Sequence, residues 1–185
     1  MKAAPERRSL VVFGCGNPSR GDDSLGPALM KRVEDWIRVH PGRPVTAVED
    51  FQFQVEHTLD LRGCDIALFV DASAAGPDGV TLSRIAPGAS SSFSTHALAP
   101  ESLLQAFGAL DCGDPPRAFT LSVRGHDFRL GRGLSPRGRK NLELGWSLLE
   151  RLLEDPSEIF WGGLCVAASD GATPRRKGRG GREEV

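Results

Sequence analysis

The sequence predicts an α/β domain, a three-layer sandwich with a central, mostly parallel twisted sheet of about five strands and helices on both faces. Three observations carry this expectation. Short β-rich apolar runs alternate with stretches of helical periodicity along most of the chain. Two of those runs, Leu10-Val11-Val12-Phe13 and Ile66-Ala67-Leu68-Phe69-Val70, are apolar without interruption, as strands become when helices cover both faces. A Gly-rich turn follows the first and Asp71 follows the second, at the sheet edge where open α/β folds place their ligands.

In chain order, the first strand is expected near 9–14. Apolar residues at 25, 29, 33 and 36–37 then repeat at helical spacing, which predicts a helix over 24–39, capped by Ser24 or Asp23 and closed by His40-Pro41-Gly42. Further strands fall near 45–50, 65–71, 79–85 and 119–124, with weaker helical patterns at 54–62 and 100–110. The stretches 86–96 and 126–134 are rich in Gly, Ser and Arg and read as loops. A long helix is predicted over 136–154, opened by Ser135 and Pro136 and carrying Leu142, Trp146, Leu149 and Leu153 on one face. Residues 1–160 thus form one domain. From Asp170 the composition turns to Gly, Arg and Lys, so 170–185 reads as a basic tail too poor in apolar residues to fold alone.

Composition narrows the function classes. Hydrophobic residues make up 39% and charged residues 25% of 185, the proportions of a globular domain. A net charge of -1 and a pI near 6.4 give no broad positive field, so no nucleic-acid partner is expected. The longest apolar runs fall far short of the roughly 20 residues that cross a bilayer, and the run after Lys2, Arg7 and Arg8 reads as a strand and not a signal peptide. Cys15, Cys64, Cys112 and Cys165 are scattered with no C-x-x-C pair, which suits reduced thiols in a cytoplasm. A monomer is the expected state.

Three places could carry chemistry. Gly14-Cys15-Gly16-Asn17-Pro18-Ser19-Arg20-Gly21-Asp22-Asp23 joins a strand to a helix. It lacks the third glycine of a dinucleotide turn and the Gly-Lys-Ser/Thr of a phosphate loop, and Pro18 removes an amide from any anion cradle. Two carboxylates at a helix N-terminus repel an anion and favour a cation, although both residues could be simple caps. Asp71 should emerge at the same edge as Asp23, and His96, in Ser94-Thr95-His96, closes a Ser-rich loop. Two carboxylate oxygens and one imidazole suit a borderline divalent metal such as nickel or zinc, with coordination positions left open. His40, His57 and His126-Asp127 are further candidates; Cys15 beside the site reads as a small buried residue.

The run Val11 to Gly26, with Gly14-x-Gly16-Asn17 followed by the acidic pair, resembles the N-terminal signature of the hydrogenase maturation proteases. Phe69-Val70-Asp71-Ala72 and Ser94-Thr95-His96 resemble that family's second and third blocks, and the likeness covers residues 9–153. The resemblance implies metal-binding residues Asp23, Asp71 and His96, and a catalytic role shared with Asp50 in Val48-Glu49-Asp50. Gln52 to His57 is similar to the branch serving cytoplasmic, NAD-linked hydrogenases. The implied activity is endopeptidase removal of the C-terminal extension of a nickel-iron hydrogenase large-subunit precursor after nickel insertion. The nickel belongs to the substrate, and no organic cofactor is implied. The chain carries no Gly-x-Ser-x-Gly elbow and no His-Glu-x-x-His, so a conventional nucleophile or zinc-protease motif is absent from the sequence.

Three competing readings remain at this level. Gly-x-Gly-Asn-Pro also resembles the opening turn of peptidyl-tRNA hydrolases, but Arg20 to Asp23 stand where a catalytic histidine is needed. A non-catalytic nickel-binding chaperone could use the same three ligands. A nucleotide-binding protein is the third.

Overall fold

The computed structural model describes residues 8–88, 98–110 and 112–165. Five strands form one sheet: β1 Leu10–Cys15, β2 Val45–Asp50, β3 Ile66–Ser73, β4 Val80–Ile85 and β5 Arg117–Arg124, in the order β2-β1-β3-β5-β4. β1 pairs in parallel with β2 and β3, β3 pairs in parallel with β5, and only β4 runs antiparallel, on the edge beside β5. The two uninterrupted apolar runs are therefore β1 and β3, two of the three inner strands. Alternation of side chains along them supplies two cores.

On one face, Leu10 and Val12 of β1 and Ile66, Leu68 and Val70 of β3 meet α1 (Leu25–Val39), α3 (Pro136–Glu154) and α4 (Glu158–Leu164). On the other, Val11, Phe13, Cys15, Ala67 and Phe69 meet α2 (Pro100–Ala109), Phe53 and Leu61. Register partners Phe13 and Phe69 stack at 5.0 Å between ring centres, and Phe53 meets Phe69 edge-on at 5.3 Å. Each fully buried large apolar side chain contributes about 1.5–3 kcal/mol on transfer from water. The stacked pair anchors the sheet directly beneath the C-terminal ends of β1 and β3.

Two local expectations are corrected, and one further helix is found. No side chain caps α1: a 3-10 turn, Gly21–Ser24, leads into it, and the Ser24 hydroxyl donates to the Gly21 carbonyl (2.6 Å). The helical pattern at 54–62 is a 3-10 turn, Val55–Thr58, continued by further tight turns. Leu59, Asp60, Arg62 and Cys64 all donate to carbonyls three residues back, and the Thr58 hydroxyl occupies the Val55 carbonyl (2.7 Å), so an α-helical ladder never starts. α4 was not anticipated. It is held by Trp161, fully buried edge-on against Phe119 (5.1 Å), whose indole N–H donates to the Asp155 carbonyl (2.9 Å). The remaining boundaries agree to within a few residues, including α3 with Ser135 as its cap, accepting from the Gly138 N–H (2.9 Å). Among the described residues no helix is long and apolar enough to cross a membrane. The proposed tail 170–185 lies outside the described residues.

Candidate active site

Strand order places the site. From β1 the chain moves to β2 on one side and then to β3 on the other, so the crevice at the C-terminal ends of β1 and β3 is the topological switch point of the sheet. Asp23 follows β1 and Asp71 lies near the end of β3. Both line one cleft of about 550 Å³, whose walls include Cys15, Gly16, Phe53, Thr120, Ser122 and the start of α2 at Pro100.

The β1 loop that delivers Asp23 is tied to itself. Ser19 N–H donates to the Asn17 side-chain oxygen (2.9 Å), Arg20 N–H to the Asn17 carbonyl (3.0 Å), and Asn17 N–H to Asp23 Oδ2 (3.1 Å). Gly16 adopts φ 144°, and a Cβ there would stand 2.1 Å from the Asp23 carbonyl oxygen. A Cβ on Gly26 would meet the Cys15 carbonyl oxygen at 2.0 Å. These two glycines let the strand end and the first turn of α1 lie against each other, which brings Asp23 back over the end of β1.

Asp71 reaches the cleft by alternation: Val70 is buried under α1 and α3, so its neighbour faces the α2 side, beside Ser122 across the β3–β5 register. Burial raises the Asp71 carboxyl, the Ala72 N–H (2.7 Å to Oδ1) opposes that and the negative charge of Asp23 adds to the rise, which together bring it to about 6. At Cys15 the thiol is pushed far up, first by burial and then by the charges of Asp71, Asp50 and Asp23. All three carboxylates therefore bear on one sulfur atom, which stays a protonated, unreactive thiol, in keeping with its reading as a small buried residue.

Asp50 is close by but not in the same wall. It ends β2 opposite Cys15 and lines an adjoining pocket of about 180 Å³ with Pro18 and Glu49; Gly16 and Phe51 are shared with the main cleft. Its Oδ1 accepts from the Phe51 N–H (2.6 Å) and its Oδ2 lies 3.5 Å from His57 Nε2. His96 lies outside the described residues, two positions before Leu98, which lines the cleft.

The acidic pair is divided by the fold. Asp22 points away from the cleft, fully buried, and accepts from the His126, Asp127 and Ser135 amides (2.7, 3.0 and 2.7 Å) and from the Ser135 hydroxyl (2.7 Å). Burial alone would raise its pKa, but these donors outweigh it and hold the carboxyl below the usual range. Sequence reasoning missed this role, because no local pattern shows that residues over 100 positions away supply the donors. Of the other histidines, His126 turns to Asp78 (2.9 Å) and His40 bonds to the Trp36 carbonyl (2.8 Å) and stacks on the indole. His57 faces Asp50 from a 3-10 turn.

Chemically, Asp23 and Asp71 are carboxylates without an ion-pair partner among the described residues. Among those residues no three His, Cys, Asp or Glu side chains are placed to hold a metal ion together. Two oxygen donors attract a divalent cation but leave most of its coordination sphere to other groups.

No family model and no curated protein sequence matches the chain. Solved structures do. The [NiFe] hydrogenase maturation protease HycI from Thermococcus kodakarensis KOD1 superposes with TM-score 0.60 at 17% identity, covering 82% of this chain and 96% of its own. The hydrogenase maturating endopeptidase HybD from E. coli gives 0.58 at 18%, covering 79% and 93%. The hydrogenase 2 maturation peptidase from Thaumarchaeota archaeon SCGC_AB-539-E09 gives 0.54 at 17%, covering 79% and 98%. The superpositions span nearly the full length of each solved chain, and this chain has the fold of the hydrogenase maturation proteases.

Proposed function

We propose that this chain is an endopeptidase that removes the C-terminal extension from a nickel-iron hydrogenase large-subunit precursor once nickel has been inserted. The single observation that carries the reading is the convergence of Asp23, from the turn after β1, and Asp71, near the end of β3, on one cleft in this fold. Solved structures of the same fold are hydrogenase maturation proteases by name.

In this reading Asp23, Asp71 and His96 grip the nickel carried by the precursor, which places the scissile peptide beside it. Peptide hydrolysis adds water across the C–N bond: oxygen goes to the carbonyl carbon and a proton to the leaving amine. In the same reading Asp50, which lines the adjoining pocket, orients or deprotonates that water. Three protein ligands leave coordination positions that the loaded precursor's own groups fill, so in this reading an unloaded precursor lacks the anchor and is left uncut. Specificity then follows from the metal together with surface contact. The setting is a reducing cytoplasm, and the chain acts as a monomer.

The test is to mix the purified chain with its own precursor, with and without nickel, and to weigh the precursor by mass spectrometry. Loss of a C-terminal peptide from the loaded form only, abolished in Asp23→Asn, is expected. An intact loaded precursor, with tight nickel binding by the wild-type chain, would replace proteolysis by the chaperone reading.

A further inference from the structure

Next to the Asp50 carboxylate lies a histidine that the reaction outlined above does not use. The His57 side chain is only 11% exposed, and its ring is held edge-on against Phe13 (6.0 Å, 77°) and Phe53 (6.3 Å, 87°). Its Nδ1 accepts the Gln54 N–H (2.9 Å). In the neutral ring this leaves the proton on Nε2, the atom that faces Asp50 Oδ2 at 3.5 Å. The ring thus has no lone pair left to take a proton from substrate or water. Phe53, not His57, forms the wall of the main cleft at this point. Anything His57 does for the reaction must pass through Asp50.

We propose that His57 is the positioning residue of Asp50: clamped at Nδ1 by the Gln54 amide and between two phenylalanines, it presents Nε2–H to one carboxylate oxygen. Phe51 N–H fixes the other oxygen (2.6 Å). The carboxylate is thereby held at the wall of the pocket that it lines with Gly16, Pro18 and Glu49. This inference rests on the endopeptidase reading and names a residue that the reading had left idle.

A plainer role competes. Gln54 and His57 form a reciprocal capping box on the 3-10 turn, and a cap alone would account for the Nδ1 contact. The two roles separate cleanly by substitution. His57→Gln retains an acceptor for the Gln54 amide and a donor for Asp50. His57→Glu retains the acceptor but sets a second carboxylate against Asp50. Glu and Gln serve equally in a capping box, so a pure cap treats them alike.

With the full-length chain and nickel-loaded precursor, His57→Gln should keep kcat within about threefold of wild type, while His57→Glu should lower it about 10- to 100-fold with KM nearly unchanged. In an Asp50→Asn background the His57→Glu substitution should cost nothing further, since the group it acts through has gone. Equal kcat for the two variants, or a fully additive loss with Asp50→Asn, overturns the proposal. If the wild-type chain cuts no precursor, it is the endopeptidase reading that falls. The imidazole ¹⁵N shifts of His57 then decide the geometry, as they also do if His57→Glu fails to fold. An Nε2-protonated ring whose shifts move in Asp50→Asn supports the positioning role; shifts indifferent to Asp50→Asn, or the other tautomer, reject it.

Discussion

Ser135 donates twice to Asp22, through its backbone N–H to Oδ1 and its hydroxyl to Oδ2, each at 2.7 Å, while the same hydroxyl oxygen caps α3 by accepting from Gly138 N–H at 2.9 Å. One buried carboxylate therefore joins the turn before α1 to the start of α3. It sits where the helix N-terminus favours negative charge. Asp22→Asn replaces an acceptor oxygen by an NH₂ facing donors, and should cost about 3 kcal/mol in urea unfolding at neutral pH. Because the folded carboxyl titrates below its ordinary range, this contribution is present above that range and lost as pH falls through it. The wild-type advantage over Asp22→Asn should therefore shrink in acid. Gly138→Ala, whose Cβ would stand 2.2 Å from Asp22 Oδ1, should perturb the same joint.

The close approach of β1 to α1 gives a steric prediction. Gly26→Ala drives a Cβ to 2.0 Å from the Cys15 backbone oxygen, which cannot swing aside as a side chain can. A loss of about 3 kcal/mol, or failure to fold, is expected by denaturant titration. Gly14→Ala, whose Cβ would stand 2.0 Å from the Cγ of Met30, meets a side chain and not backbone and should be milder. Equal tolerance of both substitutions would contradict this packing.

The raised pKa of Asp71 sets a pH limit. Its carboxyl is protonated below about 6 and binds cations poorly there, so precursor cleavage should rise with pH through about 6. For stability the sign runs the other way. The folded state holds this proton more tightly than the unfolded chain, so the favourable contribution is complete below the ordinary aspartate range and is lost as pH climbs to about 6. Asp71→Asn should remove that decline, as read by thermal melts between pH 4 and 7.

Cys15 provides a check on the chemistry. Its thiol is pushed up by burial and by the charges of Asp71, Asp50 and Asp23, so in the folded chain it should resist iodoacetamide near pH 8. Peptide mapping after a timed reaction reads this directly. Rapid, selective alkylation of Cys15 would point to a thiolate nucleophile and sink the metal-anchored mechanism.

The inner strands β1 and β3 with their unbroken apolar runs, α1, α2, α3 and the placement of Asp23 and Asp71 at one sheet edge were legible in the sequence. They depend on local periodicity and on the rule that side chains and loops at the carboxyl ends of parallel strands share a crevice. The turn at 54–62 was misread because its apolar spacing suits a helix, whereas Thr58 and His57 bond back to their own backbone and stop one. α4 is only seven residues long and owes its place to the cavity that receives Trp161. The division of labour within Asp22-Asp23, the separate pocket of Asp50 and the pairing of Asp50 with His57 were decided by tertiary structure alone. Adjacent carboxylates look alike in sequence. What distinguishes them is which donors the folded chain brings to each, and for Asp22 those donors come from residues 126–135, more than 100 positions along the chain.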